Sequence, residues 1–227
     1  MGAPVLIVGA SRGIGLELVR QYRALGREVL ATHRKPEDAA AITALGATPY
    51  RIDVTEEAAL PGLVDVAEGA KVETVILAAG ILLEADRTMD PAVMDEAVFL
   101  ECMRVNALAP MRLMFQLGHI LPRGGRIGVL STRMASKELL VSSYNTMAYR
   151  ASKAALNIAV KAAANAYAAK GVAIFAMHPG WVKTDMGGSG AEVEIADSAV
   201  GLMQIVERAD EATSGGFFNY TGEALPW

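Results

Sequence analysis

Val5-Leu6-Ile7-Val8-Gly9-Ala10-Ser11-Arg12-Gly13-Ile14-Gly15 starts with four apolar residues and ends on glycines spaced GxxxGxG. The apolar run has the length of one strand and lacks polar alternation, which predicts a strand covered on both faces. Helical periodicity begins at Ile14, so the glycines fall on a strand-to-helix turn. Glycine lets the backbone bend sharply and approach a pyrophosphate, and a helix N-terminus offers free N–H groups with partial positive charge. A tight turn that binds nothing satisfies the same spacing.

Working outward, the pattern recurs. Residues 5–9, 28–32, 49–54, 74–79, 126–131, 172–177 and 217–220 read as strands, and 14–25, 37–45, 56–66, 91–121, 151–169 and 196–209 as helices. Such alternation implies right-handed crossovers and an α/β, Rossmann-like, doubly wound parallel sheet of about seven strands with helices on both faces. No linker or repeat interrupts it, so residues 1–227 read as a single domain. Residues 187–194 are glycine-rich and aperiodic, as expected of a mobile loop.

At 52% hydrophobic the chain can bury a core. Its charge of −4, 6% aromatic content and lack of a basic tract speak against nucleic acid. One cysteine, Cys102, excludes an intramolecular disulfide and suits a reducing compartment. No basic leader or long apolar span appears, so the expectation is a soluble, cytoplasmic protein with no membrane partner.

An NAD site usually places an acid after the second strand. Here the sequence reads Thr32-His33-Arg34-Lys35, and Arg12 lies inside the glycine turn. These cations suit the 2′-phosphate of NADP(H); a solvated loop start suits them too. Asp53, followed by Val54, is placed to meet an adenine or to cap a helix.

Lys stands four residues after Tyr only at Tyr149 and Lys153, which puts both on one helix face. A neighbouring ammonium brings a phenol toward proton transfer at neutral pH. Within the long helix expected at 91–121, Pro110 lacks an N–H, so a kink there would leave the Asn106 carbonyl free to hold a water; a plain proline kink between two helices fits equally.

These residues together resemble the short-chain dehydrogenase/reductase family, over essentially the whole chain. Gly9–Gly15 matches its glycine motif, Asn106 its active-site asparagine, Tyr149 and Lys153 its YxxxK pair, and Pro179-Gly180 its PG motif. His178-Pro179-Gly180-Trp181-Val182-Lys183-Thr184-Asp185-Met186-Gly187-Gly188 and Gly215-Gly216-Phe217-Phe218-Asn219-Tyr220 are similar to the C-factor-like, sniffer-type carbonyl reductase subgroup. The resemblance implies that Lys153 bonds the nicotinamide ribose, that the Asn106 carbonyl holds a relay water and that Thr184 meets the carboxamide. The implied cofactor contacts are Gly9, Ser11, Arg12, Gly13, Ile14, Gly15, His33, Arg34, Asp53 and Val54. They continue through Ala79, Gly80, Tyr149, Lys153, Pro179, Gly180, Val182 and Thr184.

Two departures stand out. Leu77-Ala78-Ala79-Gly80 lacks the two amides the family carries there, and the catalytic serine slot reads Ser131-Thr132-Arg133-Met134. Thr132 fits the subgroup register, Ser131 would face the other way along a strand, and Ser136 has the thirteen-residue spacing to Tyr149 common in the wider family. The resulting expectation is an NADP(H)-dependent carbonyl reductase acting on a small-molecule carbonyl, with Tyr149, Lys153, Thr132 and Asn106 catalytic and no metal. The competing reading is a catalytically weak dinucleotide-binding signalling protein of C-factor type. The alanine-rich helix at 151–169 leaves room for a homodimer.

Overall fold

The computed structural model describes residues 2–140 and 144–227. Seven parallel strands form one sheet in the order β3-β2-β1-β4-β5-β6-β7. They are β1 (Val5–Val8), β2 (Val29–His33), β3 (Thr48–Arg51), β4 (Thr74–Leu77), β5 (Arg126–Leu130), β6 (Ala173–His178) and β7 (Phe217–Asn219). The Rossmann-like doubly wound sheet expected from the sequence is present. β1 pairs with β2 through Val5↔Val29 and with β4 through Val5↔Thr74, so strand order reverses beside β1. That reversal opens a crevice beyond the carboxyl ends of β1 and β4.

Side chains of successive strand residues leave opposite faces of a sheet. Accordingly Leu6 and Val8 enter one core, with Leu63, Leu113 and Leu156, while Val5 and Ile7 enter the other, with Leu18 and Leu202. Helices α3 (Leu60–Gly69), α6 (Ala109–Ile120) and α7 (Met147–Tyr167) pack together over the first face. α1 (Gly13–Ala24) packs on α8 (Ile195–Arg208) over the second, and α2 (Ala39–Ala44) flanks β3.

Three features differ from the sequence reading. The helix expected at 91–121 is two helices, α5 (Glu96–Met103) and α6, joined by a π-helical turn at Arg104–Leu108. Asp95 starts α5 by accepting the Ala97 and Val98 N–H groups at 2.8 and 3.2 Å. Pro110 lies in the first turn of α6, and the chain meets its missing donor by widening: the Ala109 N–H reaches back five residues to the Arg104 carbonyl. A short helix before it, α4 (Glu84–Thr88), has no apolar periodicity and was not expected. Finally, α7 begins at Met147, four residues before the expected start, so Tyr149 lies in its first turn.

Gly201 shows how closely α8 is seated. A Cβ there would stand 2.1 Å from the Tyr220 carbonyl oxygen beyond β7. Helix propensity alone favours Gly→Ala by about 1 kcal/mol. The collision with backbone reverses that sign, and Gly201→Ala should lose on the order of 2 kcal/mol. A thermal melt should show the midpoint lowered by about 4–8 °C; a raised midpoint would mean that α8 slides freely off β7.

Candidate active site

A cavity of about 850 Å³ fills the crevice and runs from the glycine turn and the end of β2 to Tyr149 and Lys153. Its floor depends on bare glycine. Gly9 has φ +88°, and a Cβ there would lie 2.6 Å from Ala79; one on Gly15 would lie 2.1 Å from the Gly9 carbonyl oxygen. Thr32 holds the turn, its hydroxyl accepting the Gly9 N–H at 2.9 Å and its carbonyl the Ala10 N–H at 2.8 Å. α1 starts at extended Arg12 with no side-chain cap and no acid in its first turn. Its opening N–H groups therefore offer a full complement of donors to an anion. Ser11, Gly13, Ile14, Val54, Ala79 and Gly80 all border the cavity. A glycine cradle under an uncapped helix end fits a dinucleotide pyrophosphate.

The cations differ in their engagements. His33 is buried, and its Nδ1–H donates to the Lys35 carbonyl at 2.9 Å, because a carbonyl can only accept. Arg34 is exposed at the cavity edge and forms no ion pair among the described residues. Arg12 pairs at 2.5 Å with Asp185 across the mouth, both side chains largely in solvent. Asp53 accepts the Thr55 N–H at 2.9 Å and its hydroxyl at 2.7 Å. Burial opposes its ionisation, but these bonds and nearby Arg34 hold its carboxyl below the usual range. Its neighbours Ile52 and Val54, rather than Asp53, border the cavity.

At the other end Tyr149 and Lys153 point from α7 toward β5. Burial pushes the Tyr149 phenol up to about 12, and the nearby Thr132 hydroxyl works against that rise. Burial pulls the Lys153 ammonium down to about 8, and Nζ donates to the Leu130 carbonyl at 2.8 Å. The three candidate hydroxyls differ in their partners, and of the three Ser131 borders the cavity. Thr132 lies near the phenol and accepts the Met134 N–H at 3.2 Å. Ser131 donates to Asn157 Oδ1 at 2.6 Å, and Ser136 donates to the Trp227 carbonyl at 3.1 Å.

Asn106 is fully buried in the π turn, and its side chain has an unforeseen task. Oδ1 accepts the Ile81 N–H at 2.8 Å, while Nδ2 donates to the Ile81 carbonyl at 2.9 Å and to Ser152 Oγ at 3.0 Å. Ser152 donates in turn to the Tyr149 carbonyl at 2.8 Å. The exit of β4, where the family amides are missing, is thus tied to α7 through Asn106.

The loop after β6 is braced. Val182 bridges Val193, Trp181 Nε1 donates to the Gly187 carbonyl at 2.8 Å, and Thr184 accepts the Gly187 N–H at 3.1 Å. Pro179 and Thr184 border the cavity; Gly180, at φ +85°, packs under Tyr220, and Val182 is buried. In the segment 133–146 after β5, residues 141–143 lie outside the described residues. Burial, helped by Asp86, pushes the Cys102 thiol up, and burial, with Arg133 nearby, pulls His178 down to about 4. Both are therefore neutral at pH 7. Thr32, Ser152 and Asp86 are the supporting residues the sequence reading missed. Polar side chains at buried strand and helix positions signal the first two, and no local pattern signals Asp86.

Residues 3–194 match the short chain dehydrogenase family. The C-signal protein of Myxococcus xanthus is 35% identical over 59% of this chain and 81% of its own length. The fold superposes on the carbonyl reductase Sniffer of D. melanogaster with a TM-score of 0.91 and 26% identity, covering all of both chains. A carbonyl reductase from Pseudomonas aeruginosa PAO1 in complex with NADP has a TM-score of 0.87 and 32% identity, again with full coverage. The glycine cradle, the buried Tyr–Lys pair and this match over most of the sequence make the chain a member of the short-chain dehydrogenase family.

Proposed function

We propose that this protein is an NADP(H)-dependent carbonyl reductase. The observation that carries the reading is the Tyr149 phenol, kept protonated by burial and standing near Thr132 at the end of the dinucleotide-shaped cavity. The reduced dinucleotide supplies the hydride that reaches the carbonyl carbon. Thr132 Oγ1 and Tyr149 Oη hold the carbonyl oxygen, and Oη gives it the proton that completes the alcohol. A phenol kept protonated by burial is ready to donate, which favours reduction. Lys153 holds the ribose and, while charged, lowers the energy of the phenolate left behind. The Asn106 carbonyl, whose α-helical donor position is taken by Pro110, would hold a water that returns a proton from solvent. Gly9, Ser11, Gly13, Ile14 and Gly15 carry the pyrophosphate, and Arg34 with Arg12 the 2′-phosphate. A cytoplasmic setting suits such an enzyme.

A second reading, dinucleotide binding without turnover, draws on the similarity to C-signal. It gives no task to the phenol and its partner hydroxyl. NADPH oxidation with a panel of aldehydes, ketones and diketones decides between them. In that assay Tyr149→Phe should keep cofactor affinity and lose at least about a hundredfold in turnover. Thr132→Val should lose about a hundredfold, and Ser131→Ala and Ser136→Ala far less, because their hydroxyls serve Asn157 and Trp227. Unimpaired turnover in Tyr149→Phe would remove the phenol from the chemistry.

Cofactor choice gives a further test. Two charge-assisted bonds should favour NADPH over NADH by on the order of a hundredfold at low salt. Arg34→Ala should weaken NADPH alone, with the preference shrinking as salt rises. Equal weakening of both cofactors by Arg34→Ala would contradict the 2′-phosphate assignment.

The buried ammonium predicts a pH effect on the cofactor-free protein. Lys153 titrates near 8 when folded and at 10.5 as its ordinary value. Its charge opposes folding fully below pH 8, and that opposition is relieved as pH rises toward 10.5. Denaturant unfolding should therefore show wild type gaining stability relative to Lys153→Met between pH 8 and 10. Parallel pH curves for the two proteins would argue against a charged, desolvated Lys153.

A further inference from the structure

The helix that carries Tyr149 has no cap of its own. Thr146, the residue before it, stands in the left-handed region at φ +53°, which a β-branched side chain rarely adopts, and its hydroxyl donates to the Asn145 carbonyl at 2.7 Å. No acid occupies the first turn. The opening N–H groups of a helix need acceptors from elsewhere. Asp86 of α4 supplies three. Its carbonyl accepts the Thr146 N–H at 3.2 Å, Oδ1 the Ala148 N–H at 3.0 Å, and Oδ2 the Tyr149 N–H at 2.8 Å. The residue is 1% exposed, and among the described residues no Lys or Arg forms an ion pair with it. Its charge is met by the N–H groups it accepts, by the positive end of α7 and, without an ion pair, by the Arg150 guanidinium nearby.

A carboxylate buried without a direct ion pair is an expensive way to cap a helix, and an ordinary N-cap serine or aspartate at 146 would do the same for α7 alone. The arrangement does something a local cap does not. It references the backbone of Tyr149 to the β4–α5 connection, which Asn106 clamps at Ile81 and which borders the cavity. We propose that Asp86 is the positioning residue for Tyr149: its bidentate carboxylate fixes the first turn of α7 so that the phenol stands against the Thr132 hydroxyl. The proposal rests on the reading of Tyr149 as proton donor. The phenol oxygen is the far end of a long rigid side chain, so a small rotation of an uncapped turn swings it away from Thr132. The helix beyond the first turn, with Lys153, stays seated in the core.

The test uses the full chain with NADPH and a carbonyl substrate. Asp86→Asn keeps one acceptor and presents an NH₂ to an N–H; it should lower kcat about tenfold, the scale of a sub-ångström misplacement. NADPH affinity and KM for NADPH should stay within about twofold, because the glycine turn and Lys153 are untouched. In a Tyr149→Phe background the same substitution should have almost no further effect on turnover. Amide hydrogen exchange at Ala148 and Tyr149 should quicken without cofactor present. Should Asp86→Asn fold poorly, Asp86→Ser, an uncharged acceptor, carries the same expectations. Wild-type kcat in Asp86→Asn beside a crippled Tyr149→Phe overturns this proposal alone. So does a loss that persists undiminished in the Tyr149→Phe background or falls equally on NADPH affinity, since that is a merely structural role. Full turnover in Tyr149→Phe overturns the proton-donor reading itself, and this proposal with it.

Discussion

β1 can pass into α1 at this point of the sheet only because two residues carry no side chain. At Gly9 a Cβ would lie 2.6 Å from Ala79, and at Gly15 a Cβ would lie 2.1 Å from the Gly9 carbonyl. The resulting contact brings the start of α1 down onto the exits of β1 and β4, where strand order reverses. The same closeness lets the sheet end in an open crevice walled by uncapped N–H groups. Thr32 makes the turn reproducible by holding both Gly9 and Ala10. The rest of the site is arranged relative to this fixed corner.

The opposite wall is held by buried polar bonds. Asn106 joins the π turn to the β4 exit and to Ser152, and Ser131 joins β5 to Asn157 in α7. Each bond has a net worth of about 1 kcal/mol, but leaving a buried partner orphaned costs roughly 1–3 kcal/mol. Such a network resists partial loss and keeps side-chain positions narrow. This gives a physical reason for the chain to tolerate Leu77-Ala78-Ala79 where its relatives carry amides: backbone at Ile81 is secured from the other side.

The architecture was legible in the sequence because parallel strands buried on both faces leave continuous apolar runs, such as Val5–Val8 and Thr74–Leu77. Helix interiors were legible for the same reason. Boundaries were not. Pro110 signalled an interruption near Asn106, but its form, a wider hydrogen-bond register over Arg104–Leu108, was not readable, and Asp95 looked like one more helical residue. At the cavity, the placement of Tyr149 and Lys153 on one face of α7 was readable because their spacing is local. Asp86 was invisible, since it serves a helix sixty residues away. Asp53 was less readable: its position after a strand suggested a ligand contact or a helix cap, and its Oδ1 accepts both Thr55 donors.

Dependence of α7 on α4 bears on how such a scaffold diversifies. Connections at the carboxyl edge of a doubly wound sheet are where new specificities are built, because the strands beneath do not care about loop length. Here one stretch of that edge is not exchangeable: residues 81–88 hold Tyr149 through Asp86 and reach the loop after β6 through Arg87, which donates to the Met186 carbonyl at 2.6 Å. Residues 89–94, beyond that anchor and largely at the surface, carry no such tie to α7. Recombining loops between relatives, in evolution or in the laboratory, therefore has a natural crossover just after Thr88. A splice on its other side would exchange the rim and remove the cap of α7 in one step.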